Sequence, residues 1–71
     1  MNNNLKETRL KRGMSISELA RRTGLSRVAI TNIENGRSNP LETTIHSISV
    51  ALEKEPHEIF FKQSVIQELQ K

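Results

Sequence analysis

Ser15-Ile16-Ser17-Glu18-Leu19-Ala20-Arg21-Arg22-Thr23-Gly24-Leu25-Ser26-Arg27-Val28-Ala29-Ile30-Thr31-Asn32-Ile33-Glu34-Asn35-Gly36 is the stretch that decides the fold. Ser15 and Glu18 have capping-box spacing: the hydroxyl accepts from the Glu18 amide, and the carboxylate reaches back to the Ser15 amide. The helix started there turns Leu19 and Ala20 inward and stops near Thr23, because Gly24 takes the left-handed conformation that ends helices. Leu25 anchors the turn in the core, and Ser26 is a second N-cap. The next helix runs Arg27–Asn35, with Ile30 and Ile33 on its buried side and Gly36 just past its end. Two short helices joined by a tight glycine turn cross steeply, and the small Ala20 lets them approach closely.

Outward from this pair, the remaining segments also read as helices. Asn4–Arg12 is closed by Gly13, and Lys11 and Arg12 in its last turn suit the negative end of the helix dipole. Arg37-Ser38-Asn39-Pro40 is a loop. Leu41, Ile45, Ile48 and Leu52 then recur at helical spacing, with Leu41 entering the stripe in place of the polar Glu42. Glu55-Pro56 starts a fifth helix, since proline suits a first helical position, and Ile59 and Phe60 are its core contacts. No segment alternates with period two. The expected class is all-α: five helices over residues 1–60, followed by a C-terminal extension over residues 61–71. In that extension Phe61, Val65 and Leu69 repeat every four residues and Ile66 widens the stripe. The stripe either caps the monomer's own core or joins two copies. The dimer contact is the favoured expectation, because little core is left to cover beyond the fifth helix.

Composition narrows the function. A 71-residue chain supports one compact core. Cysteine is absent, so neither disulfides nor thiolate metal sites reinforce that core, and the chain fits the reducing cytosol. The N-terminal residues lack the charged lead and apolar run of a signal peptide, and runs such as Ile59-Phe60-Phe61 are far too short to span a bilayer. A cytoplasmic protein is expected. Phe60 and Phe61 are the only aromatics, which disfavours base-stacking on single strands. The formal charge of +3 is unevenly placed: residues 1–37 hold eight Lys/Arg against three Glu, residues 38–71 three Lys against five Glu. A basic half joined to a mildly acidic one suits a polyanionic partner.

With Ile30 and Ile33 turned inward, the second helix of the pair presents Arg27, Val28, Thr31 and Asn32 outward. Arg pairs with guanine, Asn with adenine, and Val or Thr meets the thymine methyl. A helix carrying them fits the major groove of duplex DNA, its N-terminal residues at the base edges. Ser26, Arg37, Ser38 and Asn39 flank it and donate to phosphates, which positions without specifying. Catalysis finds no support: His46 and His57 read as surface residues without metal-ligand spacing. Glu53, Glu55 and Glu58 sit near a helix start, where carboxylates suit the dipole. There is no phosphate loop, zinc motif or nucleophile with a base. No enzyme activity, metal, cofactor or small-molecule ligand is expected.

Arg9-x-x-Arg12-Gly13-Met14-Ser15-x-x-Glu18-Leu19-Ala20, Gly24-Leu25-Ser26, Ile30-x-x-Ile33-Glu34-Asn35-Gly36 and Asn39-Pro40 together resemble the Cro and phage-repressor (XRE-type) DNA-binding domains. The resemblance covers roughly residues 4–60. It implies a five-helix fold, a homodimer on operator DNA, and a recognition helix at Arg27–Asn35. It implies base contacts from Arg27, Val28 and Asn32, with Thr31 a further candidate. Phosphate contacts would come from Ile16 and Ser17 at the start of the second helix, and from Arg37 and Ser38. A buried ion pair between Arg9 and Glu34 is implied as well. Ile16 stands where many members carry Gln, so a side-chain phosphate contact is lost there and Ser15, Ser17 or a backbone N–H takes its place. Thr8, Thr23 and Glu42 occupy often aliphatic positions, and Lys54 a usual Val, which thins the core. The function implied is transcriptional regulation, with repression favoured. The alternative is an antitoxin or adaptor that uses the fold to bind a partner protein.

Overall fold

The computed structural model describes residues 3–60. They form five helices: α1 (Leu5–Lys11), α2 (Ile16–Thr23), α3 (Arg27–Glu34), α4 (Glu42–Leu52) and α5 (Pro56–Ile59). No strand occurs among the described residues. The extension expected at residues 61–71, with Phe61, Val65, Ile66 and Leu69, lies outside them.

Local signals set most boundaries. Gly13 (φ +71°) follows α1, Gly24 (φ +77°) ends α2, and Gly36 (φ +73°) lies just beyond the Asn35 C-cap of α3. Helix α5 opens with Pro56 inside a reciprocal capping box between Glu55 and Glu58. That bond from the Glu55 backbone holds the Glu58 carboxyl below its ordinary pKa.

Two details differ from the sequence reading. Ser15 Oγ accepts from the Glu18 amide at 3.0 Å, but the Glu18 carboxylate does not turn back to Ser15. It takes Arg21 Nη2 and Arg22 Nε instead, each at 2.6 Å. Two guanidiniums one turn ahead outbid a single neutral amide, because charge-assisted hydrogen bonds are the stronger kind. Leu41 does not join the inner stripe of α4. It is the N-cap, in extended backbone, and is 73 % exposed. The inward face is Ile45, Ile48, Ser49 and Leu52.

The core is built from Leu5, Leu19, Ala20, Ile30, Ile33, Ile45, Ile48, Leu52, Ile59 and Phe60, with Met14, Ile16, Leu25 and Ala51 packed at its edge. Helix α2 lies against both α3 and α4, α4 against α5, and α1 against α3. Among the described residues one side-chain polar atom is buried without a hydrogen-bond partner, Ser49 Oγ. The approach to α1 is tied to α5 and to α3: the Asn4 amide donates to Ile59 O at 2.8 Å, and Asn3 Nδ2 to Ile33 O at 2.8 Å. No helix among the described residues is long and apolar enough to cross a membrane.

Candidate nucleic-acid interface

The turn between α2 and α3 is fixed by short-range bonds. Thr23 Oγ1 donates to Leu19 O at 2.8 Å and accepts from the Leu25 amide at 3.3 Å. The Gly24 amide closes on Ala20 O at 2.9 Å. Ser26 then caps α3 by accepting from the Ala29 amide at 3.0 Å. Thr23, read from sequence as a gap in an aliphatic pattern, is a bonded part of the turn.

Helix α3 is held from behind. Ile30 and Ile33 are buried. Arg9 Nε meets Glu34 Oε2 at 2.7 Å, with both side chains almost wholly out of solvent (6 % and 5 % exposed). Arg9 Nη1 also donates to Met14 O at 2.7 Å, and the Met14 amide returns to Arg9 O at 3.1 Å. One guanidinium thus joins α1, the approach to α2 and the end of α3. A buried pair of this kind earns little net stability, but losing one partner strands the other's charge.

The open side of α3 carries Arg27, Val28, Thr31 and Asn32. Arg27 is exposed, Thr31 and Asn32 are half-buried, and Val28 is 69 % exposed. With Ser15, Ile16, Ser17, Arg37 and Arg9 they line one shallow, open cavity of about 760 Å³ between the start of α2 and the face of α3. Ser26, Ser38 and Asn39 are exposed but outside its lining. Arg9 also reaches this cavity wall, a place that its sequence signal, the bond to Glu34, does not indicate.

Electrostatics favour an anion here. The first amides of α2, Ile16 and Ser17, are of the kind that a helix start leaves without intrahelical acceptors, at the positive end of the dipole. The Ser15 and Ser26 hydroxyls accept in their caps and keep their own protons to donate. Arg37 is anchored through its backbone, its amide donating to Asn32 O at 2.8 Å. Among the described residues no ion pair engages Arg27 or Arg37, whereas Arg21 and Arg22 are held by Glu18, and Arg12 by Glu53 at 3.7 Å. Hydrogen bonds from Arg21 and Arg22 draw the Glu18 carboxyl from 4.5 down to about 2, and the same contact raises Arg21. His46 and His57 are exposed, and no three potential metal ligands cluster among the described residues.

Known proteins share this arrangement. Residues 5–59 match the family model described as helix-turn-helix. Among solved structures, the restriction-modification controller protein C.AhdI from Aeromonas hydrophila is 34% identical, with TM-score 0.74 over 78% of this chain and 83% of that one. The N-terminal DNA-binding domain of SinR from Bacillus subtilis is 29% identical, with TM-score 0.71 over 76% and 80%. A SinR protein/SinI protein complex is 26% identical, with TM-score 0.78 over 84% of this chain and 59% of that one. No curated sequence matches the chain.

Proposed function

Because this chain belongs to the XRE-type helix-turn-helix family of DNA-binding transcriptional regulators, we propose that it is a sequence-specific repressor that binds a two-fold symmetric operator as a homodimer. One observation carries the reading: Ile30 and Ile33 are buried while Arg27, Val28, Thr31 and Asn32 face an open cleft on the other side of the same helix. In this reading α3 lies in the major groove. Arg27 and Asn32 read purines, Val28 and Thr31 meet apolar base edges. Ser15, Ser17, the Ile16 amide, Ser26, Arg37, Ser38 and Asn39 hold phosphates on either side. A two-fold dimer sets its recognition helices about 34 Å apart, one helical turn of DNA. The apolar positions of the extension, Phe61, Val65, Ile66 and Leu69, make the contact between copies. Occupancy of the operator then blocks polymerase in the cytoplasm without catalysis.

Selection of bound sequences from a random duplex pool, followed by salt titration of the best binder, tests this directly. The expected result is a symmetric motif whose affinity falls linearly on logarithmic axes as salt rises. Recovery of no motif, or equal affinity for all duplexes, overturns it. A second reading, an adaptor or antitoxin that binds a partner protein, draws support from the likeness to a chain in a two-protein complex. Stoichiometric co-purification with a protein encoded beside it, together with no selective DNA binding, would favour that role.

A further inference from the structure

Phosphate binding does not account for Ile16. Its side chain packs partly on the core, and it also forms a wall of the open cavity at the start of α2. The same cavity is lined by Val28, 69 % exposed on the outer face of α3. A branched apolar side chain held mostly in solvent gains nothing by burial until a partner covers it. Here one exposed and one half-buried apolar side chain share a cleft, whose lining also holds Arg27 and Arg37, cations without an ion pair among the described residues. The occupant therefore combines a dense negative charge with a small apolar knob. In the major groove of duplex DNA, the base edges offer one apolar group of that size, the C5-methyl of thymine.

We infer that Ile16 and Val28 form the two sides of a methyl seat, so that this protein reads thymine at one position of each half-site and Ile16 determines specificity through its side chain. The inference rests on the major-groove reading proposed above. It moves the Ile16 side chain from a lost phosphate contact to a gained base contact, while its amide remains available to the backbone of the DNA. The thymine methyl is the group enclosed, and its removal leaves base pairing intact. Burial of one methyl between two apolar walls corresponds to about fourfold in affinity.

The test uses the full chain and the best duplex from the random pool. Each thymine in that duplex is replaced singly by deoxyuridine, which removes the methyl alone, and dissociation constants are read by fluorescence anisotropy. The expected result is one position per half-site at which the replacement weakens binding by about fourfold. Val28→Ala, at an exposed position where folding is not at stake, should weaken the thymine duplex by a similar factor and leave the uracil duplex almost unchanged. Ile16→Ala, with its fold checked by circular dichroism, should do the same. Equal tolerance of uracil at every position overturns the methyl seat and leaves the DNA-binding reading standing. A uracil penalty that persists undiminished in both variants also overturns it. A 5-methylcytosine–guanine pair bound more tightly than thymine–adenine at that position overturns the assignment to thymine. Absence of any sequence-selective binding overturns both readings together.

Discussion

Glu34→Ala should be close to a loss-of-fold substitution, and its size can be worked from the contact it removes. Arg9 and Glu34 are almost fully withdrawn from water, 2.7 Å apart, and the guanidinium has one other acceptor, Met14 O at 2.7 Å. Deleting the carboxylate leaves a cation that is buried and half-bonded, a situation that costs about 3–5 kcal/mol. A domain of this length has about 3–9 kcal/mol in total, so most of its stability is at stake. At about 4–8 °C per kcal/mol the melting temperature falls by about 12–40 °C. Thermal and urea melts followed by circular dichroism at pH 7 read the loss. The decisive control is Arg9→Met combined with Glu34→Leu, which removes both charges and fills similar volume. That double variant should recover at least half of the loss, because paired burial against apolar replacement is near neutral; the Met14 carbonyl left without its donor accounts for about 1 kcal/mol of the remainder. A Glu34→Ala melt within a few degrees of wild type, or a double variant as unstable as the single one, would refute the reasoning.

Other perturbations probe separate links. Asn32→Ala should weaken binding to the selected duplex by about 1–3 kcal/mol and spare binding to random duplex; equal loss on both, in competition titrations, moves Asn32 to the phosphates. The Glu18 carboxyl, drawn from 4.5 to about 2 in the folded chain, contributes stability above the ordinary carboxylate range and loses it as pH falls from 4.5 toward 2. A carbon-detected NMR titration should therefore find its midpoint near 2, and Arg21→Gln with Arg22→Gln should return it toward 4.5; a wild-type midpoint near 4.5 contradicts the bonded geometry. Ser49→Ala removes a buried hydroxyl that has no hydrogen-bond partner among the described residues, and alanine favours the helix, so the substitution should raise the melting temperature by a few degrees, about 0.5–1 kcal/mol; a clear drop would mean the hydroxyl holds a partner. Truncation after Phe60 should give a folded monomer by sedimentation, and an unchanged dimer would exclude residues 61–71 as the contact between copies.

The helix pair was legible because its determinants are local. Ser15, Gly24, Ser26 and Gly36 act within a few residues of themselves, and Ile30 and Ile33 repeat at the helical period. Leu41 was misplaced because periodicity counts residues as if every one lay in the helix. An N-cap has extended backbone, so its side chain leaves the stripe, and Ser49 is the buried polar member that an apolar pattern overlooks. Glu18 was misassigned because the capping-box rule considers two residues, whereas the carboxylate chooses among all donors within reach, and Arg21 and Arg22 stand at i+3 and i+4. In the candidate interface, sequence named the outward residues of α3. It did not bring Ile16, Val28 and Arg9 onto one cavity, because that relation exists only once α1, α2 and α3 are docked.

The bond from the Asn4 amide to Ile59 O has a kinetic corollary. Helix α1 emerges from the ribosome before α5, yet one of its opening contacts waits for a carbonyl near the far end of α5. Synthesis at about 5–20 residues per second leaves seconds during which Leu5 has no Ile59 side of the core to seal against. The nascent domain must stay open until that final turn arrives. The Asn4 amide should then exchange with deuterium only through opening that separates α1 from α5, making a single proton a reporter on how far the five helices open together.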